Sequence, residues 1–378
     1  MRKNKKSLLL ITSFLIGFFI TTCDDVLSPA NSKNFDVYDN INTFTPITGI
    51  TNDGIIYSET ATVTITGYDG SGGVVGIPSL INGKPVVAIA NADTSGGVFQ
   101  GKNLTGVNIP NGITFIGSDA FRDNRLTGIT LPASLISIGD NAFKNNRLTG
   151  SLAIPDSVTA IGNHAFFGGN SIRDGNRLTG IIFGANVISI GNHAFSNNRL
   201  AGSLVIPGKV THIGSNAFSN NELAKVSIPP SVITIEDGAF LSNPTLCEIN
   251  VDLLNENFIS IDGVLYNEDG SKLIKWPPKN TSPVIIPGAV TAIDDWAFAG
   301  TGLTGSLIIP NNVKFIGKQA FLDSFVTSIT IGENVMFGSS SLPSFNGNFD
   351  AVYNNAGRAA GTYTRRTNIS SDWAVNKF

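Results

Sequence analysis

Apolar residues recur along this chain in a frame longer than a helix turn or a strand alternation. In the clearest copy they fall at Leu126, Ile129 and Leu131, then Leu135 and Ile138, then Ala142-Phe143, before the polar run Lys144-Asn145-Asn146-Arg147. The frame restarts at Leu148, and the same frame begins at Leu104, Leu178, Leu200, Leu223, Leu246 and Leu303. A phenylalanine marks it at Phe99, Phe121, Phe143, Phe166, Phe195, Phe218, Phe240, Phe298 and Phe321, preceded by alanine in every copy but the first. An isoleucine at fixed offset precedes each Ala-Phe, as at Ile116, Ile138 and Ile161. The pattern predicts a coil that turns its Leu, Ile, Ala and Phe inward and buries them only against the coils on either side.

The period is near 22 residues, in the range of leucine-rich repeats. Each copy predicts a strand of the form Leu-x-x-Ile-x-Leu, such as Leu126 to Leu131, ended by a proline such as Pro132 or Pro207 that cannot donate to a ladder. Stacked copies would form a parallel sheet with about 4.8 Å between strands. A second extended piece, such as Leu135 to Ile138, turns back on the other side. Asparagine pairs such as Asn145-Asn146 and Asn197-Asn198 close the coil, because Asn tolerates left-handed turns and bonds nearby backbone. The expected fold is a leucine-rich-repeat solenoid, right-handed and curved, mainly β with short turns or 3-10 pieces, with about nine levels in its parallel sheet. Residues 104–337 carry the repeats, with a β-hairpin insertion at 247–283 around Asn267-Glu-Asp-Gly270. Residues 48–103 read as an N-terminal cap with a degenerate first repeat. Residues 338–378 read as a C-terminal cap, in which Phe345, Phe349, Tyr353, Tyr363 and Trp373 can cover the last open coil or serve as a recognition tail.

The N-terminus departs from the frame. Residues 1–22 combine basic Arg2, Lys3, Lys5 and Lys6 with a 13-residue apolar run from Leu8 to Ile20, too short for a span of about 20 residues and suited to a signal peptide. Ile20-Thr-Thr-Cys23 resembles a bacterial lipobox, with Thr22 departing from the usual small residue; acylated Cys23 would anchor a protein that is otherwise soluble. Residues 23–47 read as a tether. Charged residues are 14% of the chain, and its formal net charge of −3 becomes −7 once the four leader cations are gone. That balance argues against nucleic-acid binding.

The Ile-Pro and Ile-Gly-x-x-Ala-Phe landmarks, with Asp262-Gly-Val-Leu-Tyr266, resemble the BspA-type leucine-rich-repeat family. Tyr353-Asn-Asn-Ala-Gly-Arg-Ala-Ala-Gly-Thr-Tyr-Thr-Arg365 and Trp373 resemble the endings of treponemal members. The resemblance implies a secreted or surface protein of a host-associated bacterium that binds host or extracellular-matrix proteins in adhesion; the alternative is an envelope scaffold for another bacterial protein.

Candidate binding residues follow from the frame. The outward middle position of the strand is apolar in three successive copies, Ala153, Ile182 and Val205, and a contiguous exposed apolar stripe is an interaction-site signature. Its bland reading is β-propensity filler. Arg125, Arg147, Arg177 and Arg199 occupy the position before the first Leu and would stack as a basic column suited to carboxylates or an anionic glycan; the bland reading pairs them with Asp123, Asp174 or loop carbonyls. His164 and His193 share one position in adjacent copies but lack a convergent third metal ligand. Cys247 has no paired base, and no phosphate loop, HExxH, GxSxG or paired-carboxylate motif occurs, so neither enzyme activity nor a cofactor is expected.

Overall fold

The structure, a computed structural model, describes residues 46–94, 96–169, 175–338, 343–367 and 372–376. The leader, Cys23 and nearly all of the tether lie outside the described residues. Among the described residues the chain is a β-solenoid of about 12 turns with parallel sheets and one short α-helix, Phe349–Asn355.

The phenylalanines form a column along its interior. From Phe99 through Phe240 the rings stack face to face, with centroids 5.0 Å apart at Phe99–Phe121 and 6.0 Å at Phe218–Phe240. Offset stacks of this kind are worth about 0.5–1.5 kcal/mol each beyond the area they bury. The alanine before each Phe is fully buried in the central coils, where a larger side chain would have no room. The glycine after most landmark isoleucines has a similar cause. A Cβ on Gly139 would lie 2.6 Å from the Ser118 nitrogen of the coil before it.

The turn count exceeds nine because three residues outside the Ala-Phe landmark also occupy the column. Tyr68 packs on Phe99 at 5.1 Å, Trp276 stacks on Phe298 at 5.4 Å, and Phe345 stacks on Phe321 at 4.4 Å. The stretch 247–283 is therefore less an insertion than a divergent coil. Phe258–Ile261 pairs antiparallel with Val264–Asn267, which pairs antiparallel with Lys272–Lys275. Leu273 then sits in parallel register with Ile293, so the hairpin's last strand begins the next stack.

This coil also marks a break. The buried apolar residues fall into two clusters that meet at Val264 and Leu265. Glu236 and Asp294 stand where the other repeat coils have the close-packed glycine, and they border a cavity of about 20 Å³, room for roughly one water. Lys275 lines it too. It takes the landmark alanine's place before Trp276, is 6% exposed, and donates to the Trp296 and Ala299 carbonyls at 3.1 and 3.2 Å. Burial holds its ammonium down to about 7.

The two extended faces also differ from the expected sheet. The more continuous one is built from the second extended piece, in two-residue strands such as Ser137–Ile138, Ala160–Ile161 and Ser189–Ile190, in parallel register as far as Thr234–Ile235. The Leu-x-x-Ile-x-Leu face is segmented, and Leu126 to Leu131, expected as a strand, forms none. Some copies carry one extra residue: Leu148-Thr-Gly150-Ser-Leu152 against Leu126-Thr-Gly128-Ile129. There Gly150, Gly202 and Gly305 adopt φ near +73°, and the register shifts at the next residue, a β-bulge. Each bulged strand pairs with the coil that follows it, as Thr149–Ala153 does with Arg177–Ile182. The ladder fails between Arg177–Ile182 and Ala201–Val205, because the extra residue puts a bulged strand out of step with the coil before it.

A second column, of asparagines, holds the coils in register. Asn124, Asn146, Asn176, Asn198, Asn221 and Asn243 are all buried. Each accepts the N–H of a leucine in the preceding coil and donates to phenylalanine carbonyls of two coils. For Asn198 these are Leu178 N–H at 3.0 Å, Phe166 O at 2.9 Å and Phe195 O at 3.1 Å. Its neighbour Asn197 supplies the left-handed turn, with φ of 58°.

The last coil is covered. Strand Gly361–Arg365 pairs antiparallel with Phe325–Ile331, and Trp373–Asn376 pairs with Gly361–Arg365. Phe345, Phe349, Tyr353, Tyr363 and Trp373 are all buried, and the Tyr353 hydroxyl donates to Gly332 O at 2.6 Å. Such a cover removes an edge that would otherwise pair with another chain.

Candidate functional site

The strand-face row is outward at every level read from the frame, from Asn108 and Thr130 through Ser227 and Asn250 to Thr330. Ala153 stands in register with Ile182. Ile182 and Val205 are each 65% exposed, although their strands do not pair. Between them lies a shallow groove of about 730 Å³ whose floor is Ile181 and Phe183, with Pro207 beside them and Asp156 and Lys209 at the rim. Ala153 lies outside it. The gap between the two strands makes this groove: a continuous ladder would have closed the space that the bulge at Gly202 opens. Ile285 and Ile308 repeat the exposed apolar position in the C-terminal stack, at 71% and 69%.

The arginine column is in register by its backbone. Arg125, Arg147, Arg177 and Arg199 each donate N–H to the leucine carbonyl one coil earlier, at 2.7–2.9 Å, and Glu222 ends the series in the same way. The side chains do not share one environment. Arg125 and Arg147 line a groove of about 1000 Å³ across the turn face, and Arg177 and Arg199 lie outside it. Asp123 does not pair with the column. It forms an ion pair with Arg122, 3.1 Å from Nε, and accepts from Asn145 Nδ2 at 2.7 Å. Asp174 lies outside the described residues. The Nε of Arg177 is buried without a partner among the described residues.

The sequence reading missed two further cations of that groove. Arg122 and Lys144 follow the column phenylalanines directly, the position that Phe167 holds in the next coil. The signal was present as a recurring site after each Phe, but only the stack shows that it faces the arginine column across the turn. Asp119, at 3.0 Å, and Asp123 hold the Arg122 guanidinium above its ordinary range. Lys144 sits over the Phe167 ring at 5.5 Å. His164 and His193 stack at 4.7 Å and are half-buried. Burial, then His193 and then Lys144, push His164 down to about 4, so it is neutral at physiological pH.

Among the described residues no group of three or more His, Cys, Asp or Glu could hold a metal ion. Cys247 is half-buried and its Sγ donates to Ala224 O at 3.3 Å.

Six copies of a BspA type leucine rich repeat region match the chain over residues 94–177, 174–282 and 270–348. The chain belongs to the BspA-type leucine-rich-repeat family. No curated protein matches it. Among solved structures it is similar to a leucine rich cell surface protein from Faecalibacterium prausnitzii, at 23% identity and a TM-score of 0.52 over 80% of this chain and 82% of that one. It is also similar to the pneumococcal vaccine antigen PcpA, at 19% identity and a TM-score of 0.51 over 79% and 86%. A leucine rich repeat protein of T. pallidum is 28% identical over 54% of this chain and 78% of its own, with a TM-score of 0.34. The first two likenesses show the leucine-rich-repeat fold alone; function has to be argued from this chain's own surfaces.

Proposed function

We propose that this BspA-type protein is an envelope lipoprotein, anchored through acylated Cys23, that binds a protein partner through its strand face in adhesion to host or matrix proteins. One observation carries the reading: Ile182 and Val205 stand 65% exposed on either side of a groove lined by Ile181 and Phe183. Side chains held out in that way add nothing to the fold and become favourable only when covered. The mixed rim of Asp156 and Lys209 suits a protein surface better than a polyanion. The absence of any convergent catalytic set in the sequence, together with the family fold, supports a binding module over an enzyme.

The test measures binding of the purified chain to immobilised extracellular-matrix proteins, with Ile182→Asp/Val205→Asp as the variant. Covering both side chains contributes about 2–4 kcal/mol, so the variant should bind at least 30-fold more weakly with an unchanged far-UV spectrum. Binding that survives the double substitution rejects the groove. Protease shaving of intact cells tests location: a chain protected until the outer layer is broken would favour a periplasmic scaffold. Mass spectrometry of the mature N-terminus tests the anchor, and an unmodified Cys23 would remove it.

A further inference from the structure

The groove on the turn face differs in kind from the strand-face groove. Two successive coils close with Arg122-Asp-Asn-Arg125 and Lys144-Asn-Asn-Arg147, each turn carrying a cation at both shoulders. Because the coils are in register, as Arg147 N–H to Leu126 O at 2.9 Å shows, the four cations form a two-by-two array with about 4.8 Å between rows. The array is local. The coil before has Gln100 and Asn103 at these places, and the coil after has Phe167 at the first shoulder.

The acids described nearby engage one corner of it. Asp119 and Asp123 both engage Arg122, whereas neither Arg125 nor Lys144 has an ion pair among the described residues. The groove is closed at one end by the half-exposed Phe167 ring and by His164 edge-on to it at 5.4 Å. Cations repeated along one direction, ending on an aromatic face with amides between them, match one ligand chemistry. A pyranose ring can lay its C–H face on Phe167 while sulfate or carboxylate groups on successive sugars meet Lys144 and the arginines. An acidic peptide strand would look instead for a free sheet edge, and these turns offer side chains. A nucleic acid would want a longer basic track and more than one stacking ring.

We infer that the groove between the turns at Arg122–Arg125 and Lys144–Arg147, ended by Phe167, binds an acidic polysaccharide, sulfated or uronic. This site is independent of the strand-face groove.

Titration calorimetry of the purified chain at low salt tests it with four probes: a heparin oligosaccharide, an unsulfated polyuronate oligosaccharide, poly-L-glutamate and duplex DNA. Binding of either saccharide in preference to poly-L-glutamate and DNA is expected, and which of the two binds distinguishes a sulfated source from a uronic one. Arg125→Glu/Lys144→Glu should weaken that binding at least 30-fold, and Phe167→Ala at least fivefold, whereas Lys314→Glu, far along the solenoid, should leave it unchanged. Far-UV spectra must match the wild type, and Arg125→Gln/Lys144→Gln serves if the reversal fails to fold. The inference is overturned if neither saccharide binds, if poly-L-glutamate or DNA binds as well, or if the Arg125/Lys144 or Phe167 variants bind like the wild type. The Ile182→Asp/Val205→Asp variant should retain saccharide binding, so failure here and failure of the strand-face reading are separate results.

Discussion

Replacing Asn198 by alanine tests how the coils are held in register. Its amide oxygen is the only acceptor shown for the buried Leu178 N–H. Its nitrogen donates to Phe166 O and Phe195 O. The carbonyls are not orphaned by the change: Phe166 O keeps Asn176 Nδ2 at 3.3 Å and Phe195 O keeps Asn221 Nδ2 at 3.0 Å. The Leu178 N–H keeps no acceptor among the described residues. A buried donor without an acceptor costs about 1–3 kcal/mol, and each lost neutral hydrogen bond about 1 kcal/mol net. The sum is at least about 3 kcal/mol, and it should be felt locally because each coil contacts only its neighbours. Hydrogen exchange read by mass spectrometry is the suitable assay. Peptides covering Leu178 and the adjacent coils should exchange on the order of 100-fold faster, with little change at Val313 or beyond. Asn198→Asp separates the two roles of the amide. It keeps the acceptor but turns a carboxylate toward two carbonyl oxygens, so it should be worse than alanine at pH 7 and recover on acidification to pH 4. If both variants exchange like the wild type, the asparagine column does not hold the stack and the reasoning is wrong.

Phe218→Ala should destabilise its neighbourhood by about 3–5 kcal/mol, since the ring is fully buried between Phe195 and Phe240, and an unchanged melting temperature would contradict the column. Lys275→Met should be neutral or stabilising at pH 7 by about 1–3 kcal/mol. Because the folded lysine sits near 7 against an ordinary 10.5, the unfolded chain binds more protons between those values; wild-type stability should therefore rise with pH from 7 to 10.5, and denaturant titrations of the methionine variant should lack that slope. Burial raises the Asp350 carboxyl to about 6 from 3.8, so the folded state binds the extra proton and the C-terminal cover should lose stability as pH climbs through that window. Asp350→Asn, which can still accept the Ser344 N–H, should flatten this dependence, and a wild-type profile flat from pH 4 to 6 would refute it.

Much of the fold was legible because a solenoid repeats its local geometry. Once the Leu, Ile, Ala and Phe positions of one coil are assigned inward, every copy inherits the assignment, and the landmark phenylalanines from Phe99 to Phe321 are all buried, in two successive stacks. The outward row containing Ile182 and Val205 followed from the same alternation. What repeats less faithfully was not legible. Trp276 follows a lysine rather than an alanine, so nothing in the string marks it as a member of the column; only its stack on Phe298 does. The groove residues Arg122 and Lys144 carried a periodic signal, but which way they face depends on the turn set by Asp123 and Asn145 at positive φ.

The sequence alone determined the period, the buried set and the family, because these depend on residue order within a single coil. The tertiary structure decided which coils hydrogen-bond across the strand face, where the stack breaks at Lys275, and how two grooves of opposite character arise. Those features depend on the offset between coils that lie 22 or more residues apart. A single extra residue at Gly150 or Gly202 resets that offset without disturbing any apolar position.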